Sequence, residues 1–102
     1  DSRRVLGRFA EAATHAMRAG ERRERMARIC FDGGRYAEAT EDWLSAASCF
    51  VLATASVRSA EILKLVEELI AEGKVPADRR DLYAALAECN NGLKQLERKA
   101  KP

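Results

Sequence analysis

A glycine pair followed by large and small residues at helical spacing sets the strongest limit on how this chain can fold. After Gly33 and Gly34, aromatic residues and alanines alternate at intervals of three and four, so they share one face of a helix. Paired glycines favour a turn over a continued helix. The small alanines let two helices approach closely, and the rings fill the space beside them. The segment therefore predicts a helical hairpin. The residues on its shared face are Tyr36, Ala39, Trp43 and Ala46.

The same segment resembles the second half of a tetratricopeptide repeat. That family places a Gly-x-Tyr element before an alanine, an aromatic residue and a second alanine, at intervals of three, four and three. The matching positions here are Gly34, Tyr36, Ala39, Trp43 and Ala46. The resemblance covers one repeat, about residues 20–53, and implies a helical-hairpin fold that binds other proteins.

The sequence departs from the repeat pattern at several positions. Arg23 stands where the family has a tryptophan, and Val51 stands where it has the closing proline. Residues 54–87 do not repeat the pattern in register, because Glu61 and Lys64 would then occupy buried positions. A single repeat cannot bury its own apolar face, so the flanking helices must cover it. A generic four- or five-helix bundle is the alternative architecture.

Apolar periodicity predicts five helices in one domain over residues 1–102. Gly20 is expected to end the first helix, since glycine is favoured just past a helix C-terminus. The last helix keeps its apolar phase across Gly92, which favours one continuous helix over two helices split there. No strand is predicted, so the fold class is all-α, with antiparallel hairpins. The predicted helices cover residues 3–19, 21–31, 36–52, 57–72 and 77–99.

Composition narrows the function classes. No apolar run reaches the roughly 20 residues that a membrane helix needs, and no signal peptide opens the chain, so we expect a cytoplasmic protein. The three cysteines are far apart and lack metal-ligand spacing, so we expect free thiols and no metal or cofactor. The chain starts at Asp1 rather than Met, and we expect it to be a fragment. No phosphate loop or nucleophile elbow is present, so we expect no enzyme.

The leading functional hypothesis is a protein-interaction module, such as an adaptor, scaffold or chaperone-like subunit. In the family that the chain resembles, the first helix of each repeat lines the ligand groove. Carried over by position, this implies that Arg28 and Phe31 form an anchor pair, because arginine and aromatic residues dominate binding hot spots. A solvated Arg28 and a core Phe31 are the competing interpretations. The full set of predicted partner-binding residues is Glu24, Arg28, Phe31 and Asp32.

Three other hypotheses follow from the sequence. The apolar stripes of helices 57–72 and 77–99 could pair with a second copy of the chain. The arginine-rich N-terminal third could bind nucleic acid, although interspersed glutamates and a net charge of only +2 argue against it. Arg8 and His15, seven residues apart on one helix, loosely resemble the Arg–His element of the HEPN ribonucleases. Phe9 stands where that family has a polar residue, and the element lies at the wrong end of the chain.

Overall fold

The computed structural model describes residues 2–101, with side chains from Gly7 onward, and these residues form four helices and no strand. The all-α prediction is confirmed, and the predicted 36–52 helix has the observed bounds. Within the described residues, no helix is both long and apolar enough to cross a membrane. The helices are α1 (Ser2–Asp32), α2 (Tyr36–Leu52), α3 (Ser56–Ala71) and α4 (Arg80–Ala100).

Helix α1 runs unbroken through Gly20, so the predicted helix end at this residue is wrong. Gly20 is buried against Phe50 of α2. A Cβ atom at position 20 would lie 2.7 Å from Cε1 of Phe50, which is closer than real side chains approach. The glycine is therefore needed for close helix packing and not for a turn, and four helices form instead of five.

The three connections that lead out of α1, α2 and α3 share one hydrogen-bond pattern. After α1, the Gly34 N–H donates to the Phe31 carbonyl at 3.0 Å, and the Arg35 N–H donates to the Cys30 carbonyl at 2.8 Å. This is a Schellman motif, which needs a left-handed residue just past the helix. Gly34 takes that conformation with φ of 77°, which confirms the predicted reversal at the glycine pair.

Helix α2 is the centre of the packing. It contacts each of the other helices, and α3 also packs against α4. The face predicted for α2 is confirmed: Ala39 and Ala46 are completely buried and Trp43 is 1% exposed, while Tyr36 is half-buried. The chain thus forms two antiparallel hairpins, α1–α2 and α3–α4, that share one core.

The two hairpins are stacked in the same direction. Arg79, just before α4, pairs with Glu41 near the start of α2. Further along, a Cβ atom at Gly92 would lie 3.7 Å from Val51 near the end of α2. Helices α2 and α4 therefore run parallel. Because α4 continues through Gly92, the prediction of one unbroken last helix is confirmed.

The first part of α1 projects beyond the packed hairpins. Residues 7–12 are all exposed, and Phe9 is 69% exposed. Burial begins at Ala13 and is complete at Gly20, where α1 reaches the end of α2. The molecule is accordingly elongated, with extents of 50 × 27 × 20 Å. Residues 7–12 of α1 therefore pack against no other helix among the described residues.

Candidate partner-binding grooves

A shallow groove lies between α1 and α3, with Trp43 of α2 as its floor. It consists of two adjoining depressions of about 80 and 400 Å³ that share Arg28, Trp43 and Leu65. We call this surface the α1–α3 groove. The side chains that line it are Glu24, Arg25, Arg28, Phe31, Trp43, Leu65, Glu68, Leu69 and Glu72.

An aromatic cluster forms one end of the α1–α3 groove. The Phe31 ring centroid lies 5.5 Å from that of Tyr36, edge to face, and 5.5 Å from that of Trp43. Phe31 is in the last turn of α1, and the reversal at Gly34 brings the start of α2 back beside it. Phe31 is half-buried, so its ring both joins the core and faces the groove.

Arg28 lies over this cluster. Its guanidinium carbon is 5.5 Å from the Phe31 centroid and 5.5 Å from the Trp43 centroid, within the range of cation–π attraction. Arg28 is exposed and makes no ion pair with any described residue. The two rings thus hold a charged, multidentate hydrogen-bond donor at the groove with its donors available.

Glu24 is held by the protein itself. Nη2 of Arg58 donates to Oε1 of Glu24 at 3.1 Å, which links α1 to α3. The same guanidinium lies 4.3 Å from the Phe50 ring centroid and contacts the sulfur of Met17 at 3.4 Å. Glu24 lines the groove but its charge is neutralised there.

Asp32 lies outside the groove, exposed at the end of α1. The structure therefore brings together three of the four predicted partner-binding residues, Glu24, Arg28 and Phe31, and leaves Asp32 apart. The α3 side of the groove was missed, because the repeat resemblance stopped before this helix. The wide apolar stripe of α3 was the available signal, since Leu65 lies at its edge and faces the groove.

Lys74 neutralises part of the α3 side. Its ammonium lies 3.0 Å from Oε2 of Glu72 and 4.8 Å from the Tyr36 ring centroid. The hydrogen bond to Glu72 raises the pKa of Lys74 above its ordinary value, because the carboxylate favours the charged ammonium. Lys74 thus extends the cation–aromatic arrangement beyond Arg28, at the α3–α4 connection.

A second groove of about 470 Å³ lies on the other side, between α2 and α4. We call it the α2–α4 groove. Leu44 and Leu82 are buried at its base, and Arg79 links two of its carboxylates, Glu41 and Asp81. Sequence reasoning did not anticipate this groove. The side chains along it are Glu41, Leu44, Ser45, Ser48, Cys49, Val51, Asp81, Leu82, Ala85, Glu88 and Cys89, with Gly92 at one end.

The three cysteines are free in the structure, and Cys30 is buried while the other two are half-buried. Cys89 lies in the α2–α4 groove, where its thiol donates to the Leu44 carbonyl at 3.5 Å. Burial, and to a smaller extent the nearby Glu88 carboxylate, raise the pKa of this thiol. Cys89 is therefore held in its protonated, weakly nucleophilic form at neutral pH.

The residues of the alternative hypotheses lie mainly on the exposed parts of α1. Arg8 and His15 are both exposed on the N-terminal half of α1, and Arg23 pairs with Asp42 at 3.2 Å. Among the described residues, no group of His, Cys, Asp and Glu side chains is arranged to hold a metal ion. No family model matches the sequence, and comparison with curated proteins and with solved structures gives no significant match.

Proposed function

We propose that this chain is a protein-interaction module that binds a segment of a partner protein in the α1–α3 groove. One observation carries the proposal: Arg28 is stacked on two rings with its hydrogen-bond donors free, beside the half-buried Leu65. Binding hot spots combine an ordered arginine or aromatic residue with an apolar pocket. The rings fix the guanidinium before a partner arrives, which lowers the entropy cost of binding.

The stacked hairpins support a tetratricopeptide-like arrangement. Helices α1 and α3 lie on one side and the parallel helices α2 and α4 on the other, as successive first and second helices of such repeats would. The groove then falls between the first helices of two hairpins, where that family binds its ligands. The second hairpin lacks the repeat's own sequence pattern, and a four-helix bundle with the same packing would have the same groove.

The charges of the groove indicate the partner's chemistry. Glu24 is paired with Arg58, and Glu72 is paired with Lys74, so these four charges cancel locally. The groove charges that remain unpaired are Arg25 and Arg28 on the α1 side and Glu68 on the α3 side, so positive charge is in excess beside Arg28. We infer that the partner segment carries a carboxylate for Arg28 and, beside it, an apolar side chain that packs on the groove's apolar floor.

Peptide display on the full chain tests the proposal. We expect the selected peptides to combine an acidic residue with a neighbouring apolar one, and Arg28→Ala to weaken their binding by about tenfold, since about 1.4 kcal/mol is a typical hot-spot loss. Binding is measured by fluorescence anisotropy with labelled peptides. The matched control is Arg22→Ala, which removes an exposed arginine of the same helix outside the groove.

Two results would contradict the proposed site. One is selected peptides that bind Arg28→Ala as tightly as the unmodified chain. The other is equal losses for Arg28→Ala and Arg22→Ala, which would show general electrostatic attraction instead of a defined groove. Phe31→Leu gives a second measurement, because it keeps an apolar side chain in the core while removing one of the two rings beneath the Arg28 guanidinium.

A further inference from the structure

The α2–α4 groove is a second concave surface, and its base is apolar. Leu44 and Leu82 form this base and are 4% and 5% exposed, and the half-buried Val51 and Ala85 lie beside them. The apolar stripe of α3, by contrast, is used inside the chain, since Val66 is completely buried. The groove is therefore the place where apolar surface of α2 and α4 can still meet another molecule.

The groove has the dimensions of a helix. It follows α2 from Glu41 to Val51 and α4 from Asp81 to Gly92, which is about three turns of each helix, or roughly 16 Å at a rise of 1.5 Å per residue. Because α2 and α4 run parallel, a third helix can lie along both of them. Small residues along the groove let that helix approach closely. These residues are Ser45, Ser48, Ala85 and Gly92.

The groove carries an excess of negative charge. Three carboxylates line it, those of Glu41, Asp81 and Glu88, and no lysine or arginine is among its lining residues. Arg79, at one end, pairs with Glu41 and Asp81. Glu88 makes no ion pair with a described residue. Three carboxylates and one guanidinium thus leave two negative charges, with Glu88 the carboxylate that has no cation beside it.

Glu88 is placed where a docked helix would meet it. It follows Asp81 by seven residues, so the two carboxylates share one face of α4 and lie about 10 Å apart along the helix. The Glu88 carboxylate helps to raise the pKa of the Cys89 thiol, so its charge lies close to the interior of the groove. Arg79 shows at the other end that a guanidinium fits between carboxylates of the two helices.

We propose that the α2–α4 groove binds an amphipathic helix of a partner protein. The apolar side chains of that helix pack on Leu44 and Leu82, and a lysine or arginine beside them pairs with Glu88. The apolar base supplies the burial, and the carboxylate selects the charge of the partner. This site is independent of the α1–α3 groove, where Arg28 selects a carboxylate. A chain with both grooves connects an acidic segment of one partner to a basic helix of another.

Selection of helical peptides from a randomised display library on the full chain tests this proposal. We expect one group of selected peptides to carry a lysine or arginine one helical turn from an apolar residue. The affinity of labelled members of this group is measured by fluorescence anisotropy at fixed ionic strength. Glu88→Gln keeps the side-chain shape but removes the charge, and we expect it to weaken binding about fivefold to tenfold. Ser48→Tyr fills the middle of the groove and is expected to weaken binding at least about tenfold.

The controls make the same chemical changes outside the groove. Glu97→Gln and Ala87→Tyr are at exposed positions of α4 that do not line it, and we expect both to keep the affinity within about twofold. Glu88 and Ser48 are exposed as well, so their variants keep the core. Arg28→Ala is expected to leave these basic peptides bound, so this proposal and that of the α1–α3 groove can fail separately.

A thiol in the groove reports where the peptide binds. Cys49 is half-buried and lines the groove, so a bound peptide is expected to slow its alkylation by N-ethylmaleimide. Unchanged alkylation of Cys49 at saturating peptide places the peptide elsewhere and overturns the proposal. The proposal also fails if no selected group carries a basic residue.

Two further outcomes count against the proposal. Equal losses for Glu88→Gln and Glu97→Gln show general attraction to an acidic surface instead of docking in the groove. Sedimentation equilibrium of the chain alone tests the other occupant: self-association that Ser48→Tyr abolishes makes a second copy of the chain the molecule that fills the groove.

Discussion

The replacement of Gly20 by alanine gives the sharpest test of how this fold is held together. In an exposed helix interior, this change stabilises by about 1 kcal/mol, since glycine is the poorer helix former. Here the added Cβ would lie 2.7 Å from Cε1 and 3.0 Å from Cδ1 of Phe50. The ring is completely buried and has the Arg58 guanidinium 4.3 Å from its centroid, so it cannot withdraw.

The net effect of Gly20→Ala is therefore destabilising. Forcing an extra methyl group into a packed core costs about 1–3 kcal/mol, and contacts shorter than 3 Å belong at the upper end of that range. After subtraction of the gain in helix propensity, we expect a loss of about 1–2 kcal/mol in the free energy of unfolding. For a chain of this size, that corresponds to a fall in melting temperature on the order of 5–15 °C.

Gly92→Ala is the matched control for this experiment. Gly92 also lies inside a helix, but its added Cβ would be 3.7 Å from the nearest atom, Cγ1 of Val51, an ordinary contact distance. We expect this variant to be more stable than the unmodified chain by about 0.5–1 kcal/mol. The same chemical change at two helical glycines thus has opposite effects, because only Gly20 is in contact with a buried ring.

Urea unfolding followed by circular dichroism measures both variants. A third variant combines Gly20→Ala with Phe50→Leu, which removes the ring edge that the added Cβ would contact. We expect this double variant to be no less stable than Phe50→Leu alone. The reasoning would be refuted if Gly20→Ala stabilised the chain as much as Gly92→Ala does. It would also be refuted if the loss persisted undiminished in the Phe50→Leu background, because Phe50 would then not be the residue that requires a glycine.

Two further predictions concern the left-handed turn residues and the half-buried Cys89 thiol. Thr54 has φ of 59°, a left-handed conformation that costs a β-branched residue about 1 kcal/mol, so Thr54→Gly is expected to raise the melting temperature. Gly34→Ala is expected to lower the melting temperature, because it reduces the free energy of unfolding by a similar amount. Calorimetry of the two variants measures whether each melting temperature rises or falls as expected. The raised pKa of Cys89 means that the folded chain holds this proton more tightly than the unfolded chain. The stabilising contribution of the protonated Cys89 thiol is present below the ordinary thiol pKa of 9.0. This contribution is lost as the pH rises through the pKa that the thiol has in the folded chain. The fall in melting temperature at alkaline pH should accordingly be smaller in Cys89→Ala, and identical pH profiles would contradict this.

The sequence was most informative where local chemistry and packing agree. At the α1–α2 reversal, the turn glycines, the small residues at the helix crossing and the aromatic residues beside it all favour the same hairpin, and Trp43 is buried as predicted. Only part of the candidate site could be predicted in this way. Arg28 and Phe31 lie on the helix that precedes the recognisable pattern. Leu65 joins them only because the second hairpin stacks beside the first, a long-range event with no local signature.

The misinterpreted glycine shows which signal separates the two roles of this residue. The apolar face of α1 keeps its phase through Gly20, since Ala16 before it and Ala27 after it lie three helical turns apart on the same side. Across Gly34 the phase shifts: the same step of eleven residues from Ala27 leads to Glu38, which is charged, whereas the α2 face begins at Tyr36 and includes Ala39. A glycine across which the apolar phase continues is therefore a packing position, where the absent side chain admits a neighbour such as Phe50. A glycine across which the phase changes ends the helix, because the next element buries a different face.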